Sequence, residues 1–301
     1  MRIEWPTLIL IGMCYAVWGA VLMWVPALLG PGFPGAGIVL AIVVMVPVIA
    51  LQSSLQHEVL HGHPFGNRRL DEPLVIASLN LAIPYIRFRD THLAHHTDAT
   101  LTDPYDDPET NYLDPAVWAK LPRMSRMVLQ ANNTLLGRMV LGPLVSQVSF
   151  MGNDLALIRA GERGVTWAWL VHIVTSGAIL ALVAASPMPV WAYLVACYLA
   201  LSILKIRTFL EHQAHVRYRG RTVIVEDRGP LAFLFLNNNL HVVHHMHPRL
   251  PWYHLPTIYA NNREKYLRCN DGYRYASYAQ IFRRHLLRAK DPVPHPTFRN
   301  K

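Results

Sequence analysis

Residues 36–63 read AGIVLAIVVMVPVIALQSSLQHEVLHGH. The first part, 36–56, is apolar over the length that a helix needs to cross a hydrocarbon core, about 20 residues. It runs without a turn signal into His57-Glu58-Val-Leu-His61, so a spanning helix ends on a His-x-x-x-His pair. Side chains three and four apart share one helix face, and both imidazoles therefore project from one side of its end.

Three other stretches have the same apolar character: 7–29, 165–185 and 189–206. The four pair as two hairpins, joined by GPGFPG (30–35) and SPMP (186–189), both of turn composition. The 7–29 stretch is too long for a secretory leader and has no small-x-small cleavage site. The apolar run 73–86 is too short to span, and is expected to lie in the interface or re-enter. The run 129–150 is interrupted by Asn132, Asn133, Arg138 and Gln147, which predicts an amphipathic surface helix.

Composition agrees. The 301 residues are 52% hydrophobic and 16% charged, too apolar for disorder and too poor in charge for an ordinary soluble globule. Cys14, Cys197 and Cys269 form no spaced pair, which excludes a disulfide framework and a thiolate zinc site. Net charge is +9, which by itself would admit nucleic acid, anionic lipid or an acidic protein as partner. Position decides. Neither hairpin turn holds a Lys or Arg: Arg2 precedes the first span, ten lie in 68–163 and 17 from Lys205 onward. All 28 fall on one side, which the positive-inside rule makes the cytoplasm. No nucleic-acid module is present. The expected fold is an all-α membrane protein, a single domain over 1–301. Four transmembrane helices form two hairpins, a helical cytoplasmic cap covers 57–164 and 207–288, and 289–301 is a loose tail.

The chain has 16 histidines, and eight fall in three clusters: His57 and His61; His92, His95 and His96; His241, His244 and His245. A ninth, His212, follows Glu211 just past the fourth span. Each cluster turns two or three imidazoles toward one point at the cytoplasmic ends of the spans, and neutral imidazole suits zinc, copper and iron. One metal cannot use so many, since zinc takes four ligands in a closed site or three plus water in a catalytic one. Two metals with four or five ligands each fit, and iron suits oxygen chemistry. Glu58, Asp90, Asp98, Asp103 and Glu211 adjoin the clusters and are candidates to receive the second ring N–H of a ligand. Asn237, Asn238 and Asn239 are candidates to orient a ligand or cap a helix, and Arg207 to pair with Glu211 or an acyl headgroup. His172 is expected as a hydrogen-bonded residue inside a span, and His285 and His295 on the solvent side. His63, His215, His247 and His254 suit supporting or headgroup contacts.

The order HxxxH, HxxHH, HxxHH between two membrane hairpins resembles the membrane-bound fatty acid desaturase and hydroxylase family. The likeness covers roughly 36–255 and includes the run Asn238-Asn239-Leu240-His241-Val242-Val243-His244-His245-Met246-His247-Pro248 and the trailing Pro251-Trp-Tyr-His-Leu-Pro256. The resemblance implies a di-iron centre on the cytoplasmic face, held by His57, His61, His92, His95, His96, His212, His241, His244 and His245. It also implies dioxygen as co-substrate and a lipid acyl chain as substrate. No His-Pro-Gly-Gly haem segment is fused to the chain, so electrons are expected from a separate ferredoxin-like or cytochrome b5-like protein, for which the basic surface is suited.

The expected reaction is acyl-chain desaturation. Carotenoid ketolation or hydroxylation, or hydroxylation of another lipid, is the alternative within the family. His57-Glu58-x-x-His61 also matches the zinc-protease signature, which leaves both HxxHH groups unused. A metal transporter would be expected to carry ionisable groups inside its spans, and these spans carry almost none.

Overall fold

A computed structural model describes residues 3–27, 34–96 and 98–298. The chain is mostly helical, and four helices are long and apolar enough to cross a membrane. These are α1 (Trp5–Trp24), α2 (Pro34–Leu60), Arg163–Ala184 and Val190–Thr208. Each lies within a few residues of its expected position, and α2 runs on far enough to include His57. The turn expected at 30–35 falls largely outside the described residues. Outward faces such as Ile9, Met13, Ile173 and Val174 are apolar and exposed, the pattern of a surface that lipid covers.

The chain divides into two compact units, Met1–Arg89 with Ser146–Ile203 and Asp90–Val145 with Leu204–Lys301. In the first, α1 packs antiparallel to α2. Glu4 N–H donates to Pro64 O, Cys14 Sγ lies 3.5 Å from Val48 O, and Gly37 meets Pro26. A Cβ at Gly37 would come within 2.4 Å of the Pro26 carbonyl oxygen, so only glycine allows this approach.

The short apolar run 73–86 begins as one 3-10 turn and is irregular over 75–84 before the helix Tyr85–His95. Irregular backbone among apolar spans must find hydrogen bonds inside the protein. Side chains of the spans supply them. Gln52 donates to Ala77 O and accepts from Leu79 N, while Gln56 donates to Val75 O and Ser78 Oγ. The Tyr15 and Tyr193 hydroxyls donate to Leu74 O and Leu79 O. His172 Nε2 lies 3.2 Å from Leu81 O, which accounts for a buried histidine within a span.

Residues 57–89 and 146–164 belong with the spans, because Gln147 donates to Ala82 O and Arg87 forms a bidentate pair with buried Asp154, to which Trp169 Nε1 also donates. The single helix expected over 129–150 is three: Arg123–Asn132, Leu135–Val140 and Gly142–Arg159. The Thr134 side chain accepts from Gly137 N and restarts the chain as a helix cap.

The second unit carries small extended elements that the all-α expectation lacked. Strands β1 (Ile224–Val225) and β2 (Arg274–Tyr275) pair in parallel, His212 bridges Thr222 antiparallel, and Leu113 bridges Pro294. Two-residue strands are too short to show an alternating pattern. The last bridge overturns the loose tail. Leu113 N donates to Val293 O, His295 N to Leu113 O, and Lys290 Nζ to His212 O. His295 is buried with Nε2 3.1 Å from Thr102 Oγ1, so it is not on the solvent side.

Candidate metal centre

The third histidine cluster forms the one-and-a-half-turn helix His241–Met246. Val242 and Val243 face a core of Ile224, Leu240, Leu255, Tyr259 and Tyr266, so packing of the valines fixes the side on which His241, His244 and His245 emerge. His92 and His95 occupy the last turn of the helix Tyr85–His95, and His96 follows with its N–H donating to His92 O. His212 is held at the antiparallel bridge to Thr222.

The second unit gathers seven of the nine predicted ligands into two groups. His95, His212, His241 and His245 each bring a ring nitrogen within 4.8 Å of the other three. His92, His96 and His244 do the same. In the first group, His212 Nε2 lies 2.9 Å from His95 Nε2 and 3.2 Å from His241 Nε2. In the second, His96 Nε2 lies 3.0 Å from His92 Nε2 and 3.1 Å from His244 Nε2. His57 and His61 sit at the end of α2 in the first unit, both buried, their rings 5.1 Å apart.

The opposite ring nitrogens are committed elsewhere. His95 Nδ1 is 2.7 Å from Asp107 Oδ1, His92 Nδ1 is 3.0 Å from Glu109 Oε1, and His241 Nδ1 is 3.0 Å from Asn238 Oδ1. With each Nδ1–H donating outward, a neutral ring turns the bare lone pair of its Nε2 inward. Around His212, one proton serves at most one of two close nitrogens, leaving two lone pairs face to face. A cation between them removes the conflict. Nitrogens bound at about 2.0–2.1 Å around one metal, at tetrahedral to octahedral angles, are about 2.9–3.4 Å apart, and the four distances fall in that range. The donor set therefore fits metal, and its neutral imidazoles fit a redox metal such as iron.

The acids favour charge on one ring of the group, while burial keeps two others neutral. Burial alone would lower the His95 pKa, but Glu109 and Asp107 outweigh it and raise it to about 9. Burial pushes His212 and His241 well below the usual histidine value. Glu109 would be raised by burial, yet His92 and His95 hold its carboxyl well below the carboxylate range.

Several of the residues expected to support the ligands lie beside them. Asn238 orients His241, and Glu211 lies 3.9 Å from His241 Nδ1 while pairing with Arg207 at 2.8 Å. Of the neighbouring asparagines, Asn237 donates to Trp252 O and Asn239 to Val225 O and Asp227 O, so both brace the backbone. Asp103 caps a turn by accepting from Tyr105 N and Asp106 N, and Asp90 is exposed. Glu58 lies 3.7 Å from His63 Nε2, while Glu4 is 2.7 Å from His63 Nδ1. Each of these three residues brings one ligand atom within 4.8 Å of the other two, a third, smaller cluster within the first unit. The side chain of Asp98 lies outside the described residues. Asp107 and Glu109 escaped the sequence reading, although the acid-rich run Asp103-Pro-Tyr-Asp-Asp107-Pro-Glu109 was a signal for them. Of the remaining histidines, His247 lies 3.1 Å from Tyr266 Oη, His285 packs on Tyr275, and His254 is exposed.

With two histidine groups in the second unit, each able to hold an ion, the site has the form of a di-metal centre. The fatty acid desaturase family matches residues 31–277, most of the chain, and the chain belongs to that family. No curated protein matches it. Membership makes it a membrane lipid oxidoreductase of the desaturase and hydroxylase kind, and the histidine groups fit the two irons that this family uses.

Proposed function

We propose that this chain desaturates a lipid acyl chain with dioxygen at a di-iron centre. The observation that carries the proposal is the inward convergence of histidine Nε2 atoms whose Nδ1 atoms are tied to Asp107, Glu109 and Asn238. His95, His212, His241 and His245 would hold one iron. His92, His96 and His244 would hold the other, and His57 and His61 are the two remaining ligands that the family resemblance implies. Two irons bound there supply, with dioxygen, an oxidant strong enough to take hydrogen from an unactivated methylene.

The chain's own residues then do three things. The Nδ1 acceptors fix the tautomer and angle of each ring, so that the nitrogens keep one geometry through turnover. Burial of His92, His95, His241 and His244 keeps bulk water from the reacting centre. Arg207 neutralises Glu211, so that this carboxylate supports His241 without adding an uncompensated charge.

Removing two hydrogens from adjacent carbons while dioxygen becomes two waters takes two electrons and two protons from outside, which calls for a separate donor protein. The distribution of Lys and Arg supports a cytoplasmic position for the centre. The test is the lipid profile of a host expressing the chain, beside a His96→Ala control shown to be folded by size-exclusion chromatography. A new unsaturated acyl chain, absent with His96→Ala, is expected. Oxygenated carotenoid with unchanged acyl chains would refute desaturation in favour of carotenoid oxidation.

A further inference from the structure

The segment from His212 to Thr222 forms a closed hairpin-like loop. Its ends meet at the antiparallel bridge between those two residues, and Gln213 N donates to Arg221 O at 2.8 Å. Gln213 Nε2 donates to Gly220 O, and Gly220 N to Arg217 O, closing the tip. The ring of His215 lies so close on Gly220 that a Cβ there would come within 2.3 Å of Nδ1. The Arg221 guanidinium ties the stem to Leu101 O. The loop is braced at its base and at its tip.

That tip and the helix Arg263–Cys269 form an open groove of about 590 Å³. Arg217, Arg219, Lys265 and Arg268 line it, against the single carboxylate of Asp271. All four cations are exposed. Val216, 81% exposed, and Tyr218 add apolar surface beside them. A cluster of exposed cations around a small apolar anchor is the surface that an acidic protein recognises, with the charges setting the rate of encounter and the anchor its register.

We propose that this groove is the docking surface for an acidic one-electron carrier protein, and that the 212–222 loop brings the carrier to the metal centre. The proposal rests on the desaturase reading only for the need of outside electrons. Val216 is four residues from His212, so their Cα atoms are at most about 14 Å apart even along a fully extended chain. A carrier on the groove therefore stands a short tunnelling step from a proposed ligand. Each carrier is oxidised by one electron. Two successive dockings deliver the pair that, with two protons and the two hydrogens of the substrate, reduces dioxygen to two waters. Anionic lipid is the competing occupant. It has a better site on the helix Arg123–Asn132, where exposed Met124, Met127 and Val128 form an apolar stripe beside Arg123 and Arg126.

The test uses the full chain in zwitterionic nanodiscs, with a plant-type [2Fe–2S] ferredoxin as probe and surface plasmon resonance at low salt as readout. Arg217→Glu with Lys265→Glu, and separately Arg219→Glu with Arg268→Glu, are each expected to weaken ferredoxin binding at least tenfold and to flatten its salt dependence. Iron content and melting temperature of both variants should match the parent, which separates docking from folding. Arg123→Glu with Arg126→Glu should leave ferredoxin affinity unchanged. The proposal is overturned if the parent chain does not bind ferredoxin, or if the groove variants bind it as the parent does. It is equally overturned if those variants lose only binding to phosphatidylglycerol vesicles. A chain that binds ferredoxin through the groove and yet makes no double bond in the host would sink the desaturase reading and leave the docking surface standing.

Discussion

Asp107→Asn isolates the carboxylate behind His95. Asp107 is 3% exposed and serves three N–H groups: His95 Nδ1 at 2.7 Å and Glu109 N at 2.9 Å through Oδ1, and Thr102 N at 2.8 Å through Oδ2. Asparagine fills the same space and keeps one acceptor oxygen for the first two. Its amide NH2 then meets the Thr102 N–H, donor against donor. An orphaned buried N–H costs about 1–3 kcal/mol, so the metal-free protein should lose about that much stability. The bond to His95 becomes neutral and falls to roughly half its strength. Loss of such an outer partner lowers metal affinity about 10- to 100-fold. Iron should therefore leave the His95 group first under graded chelator, read by iron per chain and by Mössbauer spectra. Asp103→Asn, which touches only a turn, is the control and should retain its iron. If Asp107→Asn melts earlier but holds both irons with parental affinity, the carboxylate merely braces its loop and the reasoning is wrong.

The proton on His95 gives a pH signature. Metal ligands must be deprotonated, so loading metal at pH 7 should release about one proton from this group, and none well above pH 9, measured with a pH indicator. In metal-free protein the same raised pKa contributes stability that is whole below pH 6.5, the ordinary histidine value, and is lost as pH rises through about 9. His57→Ala with His61→Ala should keep one iron of the two, since neither residue belongs to the His95 group; loss of both irons would argue against two separable sets. Ending the chain after Arg288 removes the bonds of Lys290 to His212 O and of Asp291 to the Tyr112 hydroxyl, and should lower both melting temperature and iron content. Gln52→Leu orphans Ala77 O and Leu79 N, at about 1–3 kcal/mol for each, and should lower the denaturation midpoint in detergent.

Whatever depends on a run of like residues was visible in the sequence. The four apolar helices announce themselves by length, and the HxxHH groups by a spacing that a helix converts into one face. What escaped depends on a few long-range bonds. Asp107 and Glu109 lie 12 and 17 residues from the rings they support, and only the fold of the intervening loop brings them back. The tail 289–298 has the composition of a frayed end, yet Val293 and His295 are buried and pair with Leu113. Gln52 and Gln56 were visible as polar residues near the end of a span. Their partners were not, because nothing in 73–86 says that its backbone stays irregular.

On the proposed reading, the seven imidazoles of the two groups bring no negative charge to a buried site that would take cations, and uncompensated buried charge is costly. Here the compensation stands one ring further out. Asp107 backs His95 and Glu109 backs His92, and these two histidines belong to different groups. Each group thus has a ring backed by a carboxylate of the single run Asp107-Pro108-Glu109. Glu109 N also donates to Asp107 Oδ1, which locks the two acids to each other. A disturbance of this loop would reach both groups at once, whereas Asn238 acts on His241 and Glu211 on His241 and His95, all within one group. The loop, rather than any one ligand, is where the two halves of the centre are tied to a common support.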